Sequence, residues 1–385
     1  MIQQALATSD YIPMSLKTIQ KSTTDFRHPL AFFSFFPWKR SPPKQPKENQ
    51  HLVLIGGGHA HVQVIKAFNK ASRPPNLKVT LIDVQKSASY SGMVPGCVSG
   101  IYQPEDTLLH LEPLAKWAGI EFVNDKVVDI DLENKQIFTK HNQQGFSFDA
   151  ISIDIGSTSR GLWETKGAKE FTEPTRPIAD LVHRLEQATK ELQSKTSSTA
   201  PVDVVVIGGG AAGLELSMSI HGRWEPIVGK ENICVTVLDS GSKLWPHESI
   251  ANQQALQQVL QERNIQVRHD CLVKEVKPNS VCLDDGVVIP FTHCVWATGA
   301  GAHNLAFHLR DHRGLAASNH GWIRVNQYLQ SLSHPFVFAA GDCCTMEWST
   351  DNNNLNSYAT KSSPPKAGVY AVRSGPILIE NISKS

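Results

Sequence analysis

No stretch of this 385-residue chain approaches the roughly 18 consecutive apolar residues that span a bilayer. The nearest, residues 30–38 (LAFFSFFPW), is half that length and contains a proline. A surplus of one charge sign is missing too. The 37 Lys and Arg stand against 36 Asp and Glu, so nothing suggests the concentrated positive charge of a nucleic-acid groove. The seven cysteines are scattered, odd in number and form no CxxC or CxxxxC pair. That argues against a secreted disulfide framework and points to a reducing, intracellular compartment. What remains is ordinary globular composition, 41% hydrophobic and 19% charged, in a chain long enough for two or three domains.

The first 50 residues differ from the rest. They are rich in Ser, Thr, Lys and Pro, with basic Lys17, Lys21, Arg27, Lys39, Arg40, Lys44 and Lys47 against acidic Asp10, Asp25 and Glu48. An acid-poor leader of this kind reads either as an organelle-targeting peptide, mitochondrial or plastid, or as a disordered tail on a cytoplasmic protein.

From His51 a pattern appears that later repeats. Residues 52–55 form a short apolar run into Gly56-Gly57-Gly58, a helix-compatible stretch follows to Asn69, and residues 77–82 form a second apolar run closing on Asp83. The same arrangement returns 152 residues later: residues 202–207, Gly208-Gly209-Gly210, a helical stretch to about Gly222, then residues 233–238 closing on Asp239. Strand, glycine turn, helix, strand and acid make a βαβ unit, and it occurs twice. Between the copies, residues 177–195 read as an amphipathic helix with proline in its first turn, followed by a linker at 196–201. After the second copy come a helix at 251–263, short β-type runs to Trp296, the turn Ala297-Thr298-Gly299, a strand at 335–340 ending on Gly341-Asp342, and a polar, turn-like stretch at 351–363. Residues 365–382 read as a helix broken at Gly375-Pro376.

A glycine turn lets the backbone approach a pyrophosphate, and the helix amino terminus behind it complements the phosphate charge. An acid at the end of the next strand receives the ribose hydroxyls. Gly208, Gly210 and Gly213 fit GxGxxG, with Asp239 standing 31 residues after Gly208. In the first copy Gly56 and Gly58 fit, with Asp83 27 residues on, but His61 replaces the third glycine. The third glycine permits tight helix–strand packing, so the His61 ring is expected to turn away from the strand and hold the helix slightly farther out. His59 and His61 are not read as metal ligands, because two residues apart on a helix they point about 200° from each other. No Cys or carboxylate stands at ligand spacing beside them.

Two nucleotide units, an Ala297-Thr298-Gly299 turn and a later Gly341-Asp342 turn resemble the two-dinucleotide-binding-domain flavoproteins of the pyridine nucleotide-disulfide oxidoreductase superfamily. The motifs cover about residues 51–380. The resemblance implies an α/β fold of two Rossmann-like, three-layer ββα domains, the second inserted in the first. Its limits fall at 51–170 and 299–385 for the FAD-binding domain and 171–298 for the NAD(P)H-binding domain. Carried over residue by residue, it implies that Gly56, Gly58 and Asp83 hold the ADP half of FAD and Asp342 the ribityl chain. Gly208, Gly210, Gly213 and Asp239 would hold NADH, with His59, Gly156, Gly299, Gly341 and Lys366 completing the cofactor contacts. A closer likeness lies in GGGHAHVQVIK (56–66), YSGMVPG (90–96) and SIDIGS (152–157). These look like the NADH-dehydrogenase-like flavoproteins that some organisms fuse to selenide, water dikinase.

Disulfide reductases of this superfamily carry a redox cysteine pair soon after the first acid; here that region holds only Cys97. Cys97 and the vicinal Cys343-Cys344 are expected to be core packing. Without a sulfur relay, electrons pass directly to an outside acceptor, as in type-II NADH dehydrogenases, and a quinone-like small molecule is the expected acceptor. Glu215 matches a helix glutamate that family members direct toward the nicotinamide–flavin region. Lys366-Ala367 begins the last helix, whose amino terminus is expected to face the flavin pyrimidine edge and stabilise the reduced anion. Asp239 would repel a 2′-phosphate, and Ser240-Gly241-Ser242 offers no arginine to receive one, so NADH is expected over NADPH. The chain ends 43 residues after Asp342, whereas family members continue into a segment that completes a dimer, a membrane contact or an acceptor pocket. The alternative is therefore a non-catalytic or truncated flavoprotein acting as a binding module.

Overall fold

The computed structural model describes residues 49–194, 200–246, 248–349, 358–359 and 363–384. The leader and most of the segments 196–201 and 351–363 lie outside the described residues.

Two parallel five-stranded sheets organise the chain. In the first unit, β1 (Gln50–Ile55), β2 (Leu77–Asp83), β3 (Glu121–Asn124) and β4 (Ala150–Ile153) follow in sequence. In the second, β5 (Glu173–Pro174), β6 (Val202–Ile207), β7 (Ile233–Leu238), β8 (Ile265–Arg268) and β9 (His293–Trp296) do the same, and β10 (Val337–Ala339) comes last. The orders are β10-β4-β1-β2-β3 and β5-β9-β6-β7-β8. The two sheets are thus copies, except in where the outermost strand beside β4 or β9 comes from. The second unit takes its strand from the chain before it, and the first takes β10 from the chain after the second unit. Returning for β10 is what brings Gly341 and Asp342 to the first unit.

The strands are continuous apolar runs because both faces are covered. In β6, Val204 and Val206 pack on the helical side, while Val205 and Ile207 pack with Val276, Val281, Ile289 and Phe291 of a three-stranded antiparallel sheet. Alternate residues of one strand therefore serve two cores. The first unit carries a matching antiparallel sheet at 127–147.

The helices that position the site are α1 (His59–Ala67), α2 (Val94–Val98), α3 (Ile178–Ser194), α4 (Ala211–Val228), α5 (Asn304–Arg313) and α6 (Gly368–Ile382). Helix α2 crosses between the units. Its Val94, Cys97 and Val98 are buried with Leu181 of α3 and Leu214 of α4. Arg223 of α4 donates to the Cys97 and Val98 carbonyls at 3.4 and 3.3 Å and to Glu186 at 2.6 Å. The expected break at Gly375-Pro376 is absent, and α6 runs through it. Proline removes the N–H that would reach Val372, but Gln63 Nε2 of α1 donates to that carbonyl at 2.6 Å. No helix among the described residues is long and apolar enough to cross a membrane.

Candidate functional site: two dinucleotide cradles

Each sheet changes direction at one place, between β1 and β4 in the first unit and between β6 and β9 in the second. Parallel α/β sheets bind dinucleotides at the carboxyl ends of the strands at such a switch point. Gly56 (φ +89°) and Gly208 (φ +121°) leave β1 and β6 there, in backbone conformations that favour glycine. The loops deliver Gly58 and Gly210 as the residues capping α1 and α4, neither with a side chain to spend on the exposed N–H groups. A Cβ on Gly210 would meet open space.

The acids at the ends of β2 and β7 reach back to these turns. Asp83 accepts from the Gly57 N–H, and from Gln85 N–H at 2.6 Å. Burial pushes its carboxyl up, against those backbone donors. Asp239 lies against Gly209, and His269 Nδ1 stands 3.4 Å from its Oδ2. The sequence reading missed His269, which enters from the end of β8.

The third-glycine position separates the two copies. A Cβ on Gly213 would overlap the Gly208 carbonyl oxygen. His61 holds the equivalent place and, contrary to expectation, its ring is wholly buried and turned toward the sheet. Nδ1 lies 2.6 Å from the Gly56 carbonyl and Nε2 lies 2.7 Å from Ser152 Oγ on β4. A carbonyl only accepts, so Nδ1 carries the proton and Nε2 accepts from the Ser152 hydroxyl. Burial lowers the ring to about 4 and keeps it neutral. A hydrogen-bonded ring thus replaces a backbone contact.

Asp154, which follows β4 directly, is a second residue that sequence reasoning missed. Its Oδ2 accepts from Ala60 and His61 N–H at 3.0 and 3.2 Å, capping α1 from another strand. The only sequence signal was the acid inside SIDIGS. By the pairing of Ile55 with Ile153 and of Ile207 with Trp296, its counterpart in the second unit is Ala297.

Gly341 and Asp342 arrive from β10 beside the first cradle. Asp342 Oδ2 accepts from Ser157 Oγ at 3.0 Å and pairs with Arg176 at 3.4 Å. Gly156 (φ +67°) opens onto free space at the same place. His59 begins α1 with its ring 5.0 Å from that of Tyr90. Among the described residues, two buried side-chain nitrogens lack a hydrogen-bond partner, His59 Nε2 and His303 Nε2. The His303 ring lies beside the Ile155 backbone, so both orphans border the first cradle. Orphaned nitrogens, an open glycine turn and a carboxylate aimed at the switch point fit a flavin dinucleotide.

In the second unit, Gly299 (φ +95°) closes the turn after β9. Glu215 lies on the second turn of α4, half-buried and without a hydrogen-bond or ion-pair partner among the described residues. Burial raises its carboxyl. Lys366 precedes α6 by two residues rather than opening it. Its ammonium donates to the Cys344 carbonyl and lies 4.6 Å over the Trp322 ring. Beside it is a cavity of about 200 Å³ lined by Gly341, Asp342, Met346, Trp348, Tyr370 and Ile377. Cys97, Cys343 and Cys344 are buried, and burial raises all three thiols, Cys344 to about 12.

Residues 50–369 match the pyridine nucleotide-disulphide oxidoreductase family, and the chain belongs to it. A probable NADH dehydrogenase of Dictyostelium discoideum is 23% identical over 85% of this chain and 73% of its own length. The type II NADH:quinone oxidoreductase of Haemophilus influenzae is 23% identical over 77% of this chain and 74% of its own length. Among solved structures, NDH2 of Plasmodium falciparum in complex with NADH superposes with a TM-score of 0.67 at 16% identity, covering 78% of this chain and 66% of that one. Within the family, this chain is an FAD-dependent NAD(P)H dehydrogenase.

Proposed function

We propose that the first cradle holds FAD and the second NADH, and that electrons leave for a quinone-type acceptor without a redox disulfide. The observation that carries this reading is the pair of switch-point cradles in one chain, with no cysteine pair free to relay electrons between them. When bound, the flavin supplies hydride acceptance from the reduced pyridine and electron delivery to the acceptor.

The protein's part is placement. Gly56, Gly58 and Asp83 hold the adenosine end of FAD, while Asp342, fixed by Ser157 and Arg176, receives ribityl hydroxyls. Gly208, Gly210, Gly213 and Asp239 hold NADH. Helix α2, packed on α4, ties the flavin side to the NADH side, which keeps the two rings in register. Glu215, half-buried, with a carboxyl raised by burial and no partner among the described residues, is positioned to meet the nicotinamide. The apolar cavity beside Asp342 and Lys366 suits a planar, poorly hydrated acceptor. That acceptor class is also named in the Haemophilus relative, and it makes peripheral contact with a membrane surface part of the reading. The motifs at 56–66, 90–96 and 152–157 support placing the chain with the flavoproteins fused elsewhere to selenide, water dikinase.

Anaerobic titration of the purified yellow protein with NADH tests the proposal. Bleaching of the flavin band, followed by its return on adding a soluble quinone, is the expected result. A flavin band unmoved by NADH would overturn it.

A further inference from the structure

The two cradles differ at two coupled positions, since Gly213 and Ala297 of the second are His61 and Asp154 in the first. In the second unit the amino end of α4 is left to its ligand. In the first, a protein carboxyl is already there. Asp154 is 3% exposed, and a side chain on Gly58 or on Gly341 would overlap its carboxyl group. It therefore fills the space beneath both turns that frame the flavin, with Oδ2 on two of the N–H groups that give a helix its affinity for phosphate. A dinucleotide pyrophosphate drawn to this helix end must share it with Asp154.

From this geometry we propose that Asp154 sets how tightly the first cradle holds FAD, through its own protonation. The neutral acid admits the pyrophosphate, and the ionised acid competes with it for the amino end of α1. The inference rests on the assignment of FAD to the first cradle.

The surroundings favour the neutral form. Burial, with Asp342 and Asp83 facing it, raises Asp154 to about 7 despite the two backbone donors. Among the described residues no cation pairs with Asp154 itself or with Asp83. His61, the titratable group on α1, is neutral and engaged with Gly56 and Ser152. Cys343 and Cys344 are neutral thiols. Arg176 is paired with Asp342. On the α6 side, Lys366 is bound to the Cys344 carbonyl, and Arg373 lines the cavity with Gly341 and Asp342. A second anion raises Asp154 further, so flavin binding above its own midpoint takes up a proton.

The test is flavin release from the flavin-loaded full chain on dilution, read by free-flavin fluorescence between about pH 6 and 9. The wild type is expected to lose affinity by up to about tenfold per pH unit above neutrality and to be flat below it. Asp154→Asn is expected to abolish that slope and to hold FAD more tightly than the wild type at the alkaline end. An unchanged slope in Asp154→Asn, with weaker binding at every pH, means a merely structural cap and overturns the proposal. Should the variant fold poorly, FAD binding to the wild type in two buffers of different ionisation enthalpy decides the matter. Uptake of about one proton per flavin above neutrality supports it, and none overturns it. Failure to bind flavin at any pH would instead sink the cofactor assignment itself.

Discussion

Gln63 donates its side-chain amide to the Val372 carbonyl at 2.6 Å, the acceptor that Pro376, four residues later, has no N–H to reach. The bond joins α1, which carries the first cradle, to α6, which lines the cavity beside Asp342 and Lys366. It turns a helix breaker into a contact.

That bond is measurable. Gln63→Ala leaves a half-buried carbonyl unpaired and is expected to cost about 1 kcal/mol. In a Pro376→Ala background the backbone N–H returns to Val372, and the same substitution should cost far less. Denaturant midpoints of the four proteins check this, and equal costs in both backgrounds would refute the coupling.

How much of this was legible in the sequence follows from how far apart the cooperating residues lie. The twin βαβ units could be read because each signal sits within about thirty residues: an apolar run, a glycine turn and an acid. His61 was visible only as a missing glycine. What replaces the lost contact depends on Ser152, 91 residues away, which periodicity does not reveal. Asp154 was hidden for the same reason, since its partners at 60 and 61 lie across the switch point. The break wrongly expected in α6 is the sharpest case, because local rules describe Pro376 correctly and its compensation comes from Gln63, 309 residues upstream of Val372.

The thiols are expected to be bystanders. Cys97 of α2 is buried with residues of α3 and α4, and Cys343 donates to the Ile153 and Ala340 carbonyls at 3.3 and 3.1 Å. Cys97→Ser and Cys343→Ser should therefore alter stability more than turnover. NADH-driven quinone reduction that vanished in Cys97→Ser, with the fold intact by circular dichroism, would restore a sulfur relay.

Cofactor preference should follow Asp239. Its carboxylate at the end of β7 suits ribose hydroxyls and repels a 2′-phosphate. Asp239→Ser is expected to lower kcat/KM for NADH about 10- to 100-fold, the loss of charged hydrogen bonds, and to narrow its lead over NADPH. His269, beside Asp239, would then be free to meet the phosphate. A wild type that prefers NADPH would contradict this reading.

His61 and Asp154 make opposite demands on pH in the flavin-free protein. The buried ring is lowered from 6.5 to about 4. The unfolded chain therefore binds the extra proton, and stability is lost as pH falls through that window. The buried acid is raised from 3.8 to about 7. Here the folded chain keeps the proton, and stability is lost as pH rises through nearly the same window. Each effect is worth on the order of 3–4 kcal/mol, so together they nearly cancel between about pH 4 and 6.5. Breaking the balance should expose each slope. Asp154→Asn should grow more stable as pH rises toward 6.5, and His61→Gln should grow less stable. Unfolding free energies of the three proteins across this range would show it, and parallel profiles would mean that the two groups are not linked to folding in this way.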